Sequence, residues 1–308
     1  MQPSLQFWIA FHAVIAVFLI IDLIYWEKKE KIKFRDSLLW TIIWIAIGLI
    51  FSAVILELYG AEEFIKYITA YMAEKMLSID NLFVFLVIFT YFAVPDRSKH
   101  IVLLAGIICA AVFRGIFIFA GVVLLHMFHW MVYVFGAFLI YTGVKMAKRV
   151  EGSVDPQKNK AVNLAKKLLP IAPTYGNGGF TVKQEGRRLF TPLLLVLLAI
   201  ETTDIMFALD SVPAVLAITR EFFTAYTSNI MAVLGLRALY FLLEHGLKLV
   251  KNLEKGLALY LVYLGLAFIL SALGMEIPSY VSLILIILII ICLVVWSRLG
   301  RRSHTSLT

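Results

Sequence analysis

Charge is scarce in this chain. Asp, Glu, Lys and Arg make up only 16% of its 308 residues, 62% are hydrophobic and the mean hydropathy is +0.92, which excludes a soluble globular protein of ordinary composition. Cysteine is nearly absent: Cys109 and Cys292 both stand in apolar runs, so no thiolate cluster can form. The strict alternation of barrel strands is missing, which argues against a membrane β-barrel. No basic stretch precedes the first apolar run in "MQPSLQFW" and no small-residue cleavage site comes after it, so the first run is expected to be a retained span, not a signal peptide.

What remains is a succession of apolar runs of about 20 residues, the length that crosses a hydrocarbon core roughly 30 Å thick. They fall near 5–25, 38–56, 65–93, 101–124, 130–146, 191–218, 229–249, 256–273 and 280–297. The predicted fold is an all-α polytopic membrane protein of about nine transmembrane helices. Lys and Arg alternate between loops: five lie between Lys28 and Arg35, none in Glu57–Glu63, two come after span 3, ten lie between Lys145 and Arg188, and Arg298, Arg301 and Arg302 end the chain. The positive-inside rule then places the N-terminus outside and the C-terminus in the cytoplasm. The net charge of +8 is accounted for by this topology and by anionic headgroups, so nucleic acid is not expected as a partner.

Residues 150–190, with Pro156, Pro170, Pro173 and "YGNGG", form the one long polar connection and read as a flexible cytoplasmic linker. Within it "NKAVNLAKKLLP" reads either as a short basic amphipathic helix on the membrane or as solvated chain. The linker separates two similar halves. Residues 61–149 and 191–276 each carry a span with an acid motif, a span with a central arginine (Arg114 in "VFRGIF", Arg237 in "GLRALY") and a third apolar span ("FGAFLIYTG", "LGLAFILSA"). Three spans per unit invert the second against the first, the sequence mark of secondary transporters. Residues 1–60 would add two peripheral helices, and 277–308 a last helix and a basic tail.

The acid motifs are "EKMLSIDN" at 74–81 and "DIMFALDS" at 204–211. Glu74, Asp80, Glu201, Asp204 and Asp210 all lie well inside their spans, and an ionised acid at mid-bilayer costs roughly 2.5–3.5 kcal/mol on insertion scales. They must be protonated, paired or bound to a cation. Arg114, Arg237 and Lys75 supply at most three neutralising charges, so an ion-pair network alone leaves acids over, and a cation site is expected. Glu74 and Asp80, six residues apart, are separated by about 240° and about 9 Å on a regular helix. Either the backbone opens near Ser78 and near Ala208, with Pro192 and Pro213 loosening span 6, or the acids act at different depths along a path. Glu201 and Asp204 can share a face.

Carboxylates with Asn81, Ser211, Thr202 and Thr203 make a hard oxygen set suited to Mg²⁺, Ca²⁺ or Mn²⁺, and neither motif contains His or Cys to attract Zn²⁺ or Cu⁺. Met76 and Met206 stand at matching places; each is either a soft ligand favouring a transition metal or a core filler. Asp22 is expected to pair with Lys28 or to join an ion exit. His126 and His129 read as interfacial anchors beside Trp130. An intramembrane aspartyl hydrolase also needs two membrane aspartates, but no GxGD-type motif is present; a scaffold for metal loading or stress resistance is the other rival.

"EKMLSIDNLFVFLVIF", "FRGIFIFAG", "YVFGAFLIYTG", "IETTDIMFALDSVPAVLAIT" and "TSNIMAVLGLRALYFLL" resemble the signature segments of the TerC/Alx family of membrane proteins, in the LysE transporter superfamily, over about residues 5–298. The resemblance implies a non-enzymatic, multi-pass protein of the bacterial inner membrane that exports manganese, with a link to tellurite resistance. It implies Glu74, Asp80, Asn81, Glu201, Asp204 and Asp210 as transport-site residues. Mn²⁺ would be a transported substrate, not a tightly bound cofactor, with protons as the expected coupling ion; a Ca²⁺/H⁺ exchanger-like activity is the alternative.

Overall fold

The computed structural model describes residues 3–27, 32–148, 159–176, 178–184, 186–245, 253–275 and 277–305. In chain order the elements are α1 (Leu5–Glu27), α2 (Phe34–Tyr91), α3 (Asp96–Met127), α4 (Met131–Ala147), α5 (Lys160–Leu168), β1 (Thr181–Gln184), β2 (Arg187–Phe190), α6 (Pro192–Ile218), α7 (Phe222–Leu234), α8 (Leu236–Glu244), α9 (Leu253–Ala272) and α10 (Ser279–Thr305). Among the described residues six stretches are long and apolar enough to cross a membrane: α1, α2, α3, α6, the α7–α8 pair and α9. The shorter α4 and the Ser279–Leu293 part of α10 are also apolar. The outer helices expose Ile9, Val17, Ile20, Val112, Ile116 and Phe119 where a soluble protein would place charge, as expected for helices packed against lipid. The chain is a multi-pass membrane protein.

α2 is two spans in one. Its 58 residues are interrupted at Gly60, with φ 86° and ψ 177°, a conformation open essentially to glycine alone. The break folds the helix back on itself. Tyr67 Oη donates to the carbonyl of Gly48 across 3.3 Å, although nineteen residues of straight helix would separate them by about 28 Å.

The expected openings near Ser78 and Ala208 do not occur. Gly60 is the one non-helical residue inside α2, and α6 runs unbroken through Ala208 and Pro213. Proline removes one hydrogen bond, but α6 is held by packing on α2, α3, α4 and α9. The broken span is instead the buried central one, where α7 gives way to α8 at Gly235. A β-carbon at Gly235 would lie 2.9 Å from Lys75 Nζ and 2.9 Å from Trp44 Cβ, so close approach of two side chains demands glycine there. α7 is otherwise rich in small polar residues that bond back to their own helix: Thr227 Oγ1 donates to Phe223 O at 2.8 Å and Ser228 Oγ to Thr224 O at 2.7 Å.

The connection between the halves is also more ordered than expected. Residues 150–158 lie outside the described residues, but from Asn159 onward the chain folds into α5, capped by Asn159 Oδ1 accepting from Val162 N at 3.1 Å, and an antiparallel hairpin of β1 and β2. The chain is thus helical with one small hairpin that its sequence does not announce.

α2 after Gly60 and α6 run antiparallel. A cavity of about 610 Å³ is lined by Glu62 and Lys66 from the start of the former and by Leu216–Ile218 from the end of the latter. At the opposite end Lys99, opening α3, meets Glu244, closing α8, at 2.6 Å. The third helices of the two halves, α4 and α9, pack backbone to backbone: a β-carbon at Gly265 would lie 2.6 Å from Gly136 O, and one at Gly143 would lie 2.7 Å from Ala258 O. Small residues allow such contact in membranes. Gly265→Val is expected to destabilise the protein by roughly 1–3 kcal/mol through overpacking, read as a lower apparent Tm in detergent, whereas Leu266→Val, on a half-exposed side chain, changes it by about 0.5 kcal/mol or less.

Candidate functional site

Arg114 is at the centre. It is fully buried on α3 and reaches three other helices. Nη1 forms a close ion pair with Glu74 Oε1 on α2 and donates to Asn229 Oδ1 on α7 at 3.3 Å, while Nη2 meets Asp204 Oδ1 on α6 at 3.4 Å. Glu74 also accepts from Ser78 Oγ at 3.2 Å and, through Oε2, from Asn229 Nδ2 at 2.9 Å. Asn229 therefore uses both ends of its amide, accepting from the guanidinium and donating to the carboxylate.

The other side of the cluster is unsatisfied. Glu201 is buried and, among the described residues, neither of its carboxylate oxygens has a partner; Asp204 Oδ2 and Arg114 Nε also lack one there. Glu201 and Asp204 sit three residues apart on one face of α6. Gly106 on α3 makes room for Glu201, since a β-carbon there would lie 3.4 Å from Oε1. Beside Asp204 and Gly106 is a void of about 10 Å³, about the space one water occupies.

The six predicted site residues do not converge on one point. Among the described residues no three Asp, Glu, His or Cys side chains are grouped to hold a metal. The structure brings Glu74 and Asp204 together through Arg114, with Glu201 one turn away, and leaves Asp80, Asn81 and Asp210 at other levels. Counting 1.5 Å per residue from the Glu62 end, where α2 resumes after Gly60 and α6 ends at Ile218, Asp210 lies about 12 Å deep, Glu74 about 20 Å, Asp204 about 21 Å, Glu201 about 26 Å and Asp80 about 29 Å. The acids form a ladder about 17 Å long, somewhat more than half of a bilayer core of roughly 30 Å. Asp80 and Asn81 are buried. Asp210 accepts from Thr142 Oγ1 on α4 at 3.4 Å, and Ser211 Oγ is buried without a partner.

Thr202 Oγ1 donates to Leu198 O at 2.7 Å and accepts from Asn159 Nδ2, also at 2.7 Å, so it ties α6 to the α5 cap. Thr203 bonds back to Ala199 O at 2.7 Å. The methionines are not equivalent. Met76 is buried in an apolar cluster with Ile118 and Val215, but Met206 is 66% exposed on the outside of α6, so the matched pair cannot supply two thioethers to one ion. Two residues along a helix turn a side chain about 200° away, which removes Met206 from the face of Asp204.

The second arginine does different work. Arg237 on α8 pairs closely with Asp22 on α1, which also accepts from Trp26 Nε1 at 2.6 Å. Asp22 is thus held by Arg237; Lys28, the partner expected from sequence, lies outside the described residues. Lys75 donates to Ala232 O at 2.8 Å, a carbonyl near the end of α7. His126 and His129 are exposed beside Trp130. Asn229 and Gly106 do not stand out in the sequence. Their signal is faint: an amide after the small polar pair of "TSNIMAVL", and a glycine inside a span.

Removing Arg114 should strand two buried carboxylates. Arg114→Gln is expected to cost about 3–5 kcal/mol, seen as a large fall in apparent Tm in nanodiscs. Adding Glu74→Gln to that variant should recover part of the loss, the signature of a coupled pair in a double-mutant cycle.

The sequence matches the integral membrane protein TerC family over residues 59–305. The chain is 41% identical over 259 residues to "Uncharacterized membrane protein STKORF319" of Myxococcus xanthus, covering 84% of this chain and 81% of that protein. It is 38% identical over 273 residues to a Salmonella typhi protein named "Putative membrane-bound redox modulator Alx", and 36% identical over 273 residues to the Escherichia coli (strain K12) protein of the same name, with 85% of both chains covered in each case. No solved structure matches. With four-fifths of its length inside the matched region and relatives this similar in bacteria, the chain belongs to the integral membrane protein TerC family.

Proposed function

We propose that this protein is a secondary transporter that exports divalent metal cations, Mn²⁺ in particular, across the bacterial inner membrane in exchange for protons. The observation that carries the reading is the charge around Arg114: three buried carboxylates, Glu74, Asp204 and Glu201, stand against one guanidinium. If all are ionised, two negative charges remain uncompensated, the charge of one divalent cation. Burying them without a counterion is costly; a bound M²⁺, or two protons, removes the cost. The same carboxylates that accept the ion thus accept the exchanged protons.

The donors on offer are oxygens: both of Glu201 and Oδ2 of Asp204, with the hydroxyl of Ser211 at the level of Asp210. They fit a hard or borderline divalent ion. With Met206 facing outward and Met76 buried among apolar side chains, the preference for Mn²⁺ over Ca²⁺ rests on the resemblance to manganese exporters; Ca²⁺/H⁺ exchange is the alternative. Arg114 acts as the internal competitor. It holds Glu74 and Asp204 while no metal is present, and arrival of M²⁺ at Glu201 and Asp204 would draw Asp204 away from Nη2. Asp80 and Asp210, about 9 Å to either side along antiparallel helices, serve as the entry and exit steps of the ladder.

In the orientation given by the basic loops, the α5 end is cytoplasmic and the 610 Å³ cavity is the outer vestibule. The two halves, 61–149 and 191–276, act as inverted repeats whose motif helices meet at Arg114. The name of the Alx relatives points to redox modulation; this chain's two cysteines, in different helices, are both free and form no C-x-x-C motif.

Glu201→Gln should leave the apparent Tm unchanged or raised, because it removes an unpartnered buried charge, while Mn²⁺ flux into proteoliposomes containing this protein alone falls by about tenfold or more, roughly 1.4 kcal/mol per decade. Asp80→Asn and Asp210→Asn should likewise stay folded and lose transport, and Met206→Leu should transport like the parent. Flux that ignores an imposed pH gradient would sink proton coupling, and a purified parent that moves no ion at all would leave the scaffold reading in place.

A further inference from the structure

The connection between the halves carries a charge that its own residues do not balance. From Lys160 to Arg188 there are six Lys and Arg side chains and one acid, Glu185, which lies outside the described residues. In the hairpin, Lys183 stands directly across from Arg188. Like charges opposed on paired strands destabilise them, unless an anionic surface faces them.

α5 adds an apolar stripe. Val162 and Ala165 are buried and the helix packs on α6, whereas Leu164 and Leu168, one turn apart, are 57% and 71% exposed. Lys160 and Lys167, both exposed, flank that stripe, and Lys166 sits over the Phe92 ring at 5.9 Å. Leucines beside lysines on a short helix are the pattern of an interfacial element. Asn159, the cap of α5, bonds to Thr202, ten residues into α6, and α5 packs along the N-terminal part of that helix.

We infer that α5 and its hairpin dock on the anionic headgroup surface of the adjacent leaflet, with Leu164 and Leu168 inserted and the cations at the phosphates. The attachment reaches the acid cluster through a single side chain: Asn159 caps α5 with Oδ1 and holds Thr202, the neighbour of Glu201, with Nδ2. Tyr175 Oη, in the same segment, donates to the carbonyl of Phe92 just beyond α2. One lipid-bound insert therefore contacts both acid-bearing helices, α6 at Thr202 and α2 just past its end. Its influence on transport rests on the function proposed above; the docking does not.

The test uses the full chain with Cys109→Ala and Cys292→Ser, labelled with bimane at Leu168→Cys, in nanodiscs of phosphatidylcholine alone or with about a third phosphatidylglycerol. Brominated acyl chains should quench the label about twofold more strongly in the anionic discs, and the difference should vanish in Lys160→Gln/Lys167→Gln and near 1 M salt, where screening shortens to about 3 Å. A label at Leu164→Cys should behave alike and guards against a local effect of the first. Equal quenching in both lipids, or quenching indifferent to the lysine changes, overturns the inference. So does loss of the difference on adding inorganic phosphate, which would reveal a free-anion site. Because the readout is fluorescence, an Mn²⁺ flux of zero in the same discs' parent protein would count against transport and leave the docking result standing.

Discussion

The contact between the Arg114 guanidinium and the carboxylates of Glu74 and Asp204 is the one on which the rest of the interior depends. It joins α2, α3 and α6 in the buried interior, and Asn229 brings α7 into the same network. A buried pair of this kind contributes little net stability against an apolar replacement, yet breaking it is expensive because the survivor is left charged. Its value is in fixing which helices meet and at what height. With Arg114 locked to both halves, the antiparallel motif helices have one register, and every other acid falls at a set depth.

Glycine does for shape what Arg114 does for register. Gly60 folds α2 into two spans, Gly235 lets Lys75 and Trp44 press into the break of the central helix, and Gly136 with Gly265 bring α4 and α9 into backbone contact. Each is required for a different reason: a positive φ, the approach of a side chain, the approach of a second backbone. The central α7–α8 pair is almost wholly enclosed, with Thr227 and Ser228 bonding back to their own helix, Thr224 donating to Glu63, Asn229 joined to the Arg114 network and Arg237 to Asp22.

The apolar runs are legible because span length is set by the bilayer and not by tertiary context. The acid motifs are legible because charge in such runs is rare. The features that escape the sequence need knowledge of neighbours. "AVLGLRALY" reads as continuous helix; only the arrival of Lys75 and Trp44 makes Gly235 a break. "DIMFALDSVP" suggests a strained helix at Pro213, but packing on four helices keeps α6 whole. The Met pair misleads for a plainer reason. Repetition in sequence suggests equivalence in space, although a turn of about 200° from the first acid already sets each Met off its face, and lipid on one side and protein on the other then give Met206 and Met76 different surroundings. The Pro- and Gly-rich linker hides its hairpin because "TVKQ" and "RRLF" are too short and too polar for a period of two to show.

The two arginines singled out in the sequence have different partners. Arg114 meets Glu74 and Asp204, whereas Arg237 is committed to Asp22 on α1. The cation of Arg237 thereby anchors α1, and α6 is left with more carboxylates than Arg114 alone can neutralise. Glu201 is the residue on which that deficit falls, with both oxygens unpartnered. A chain could have relieved it with a glutamine at no cost in packing, because the two side chains have nearly the same shape and only one brings a charge into the bilayer. An acid there is neutral when protonated and otherwise calls for a counter-charge, and the deficit on α6 is therefore the physical reason why the proposed exchange of a cation for protons is placed at that point of the ladder and not at its ends.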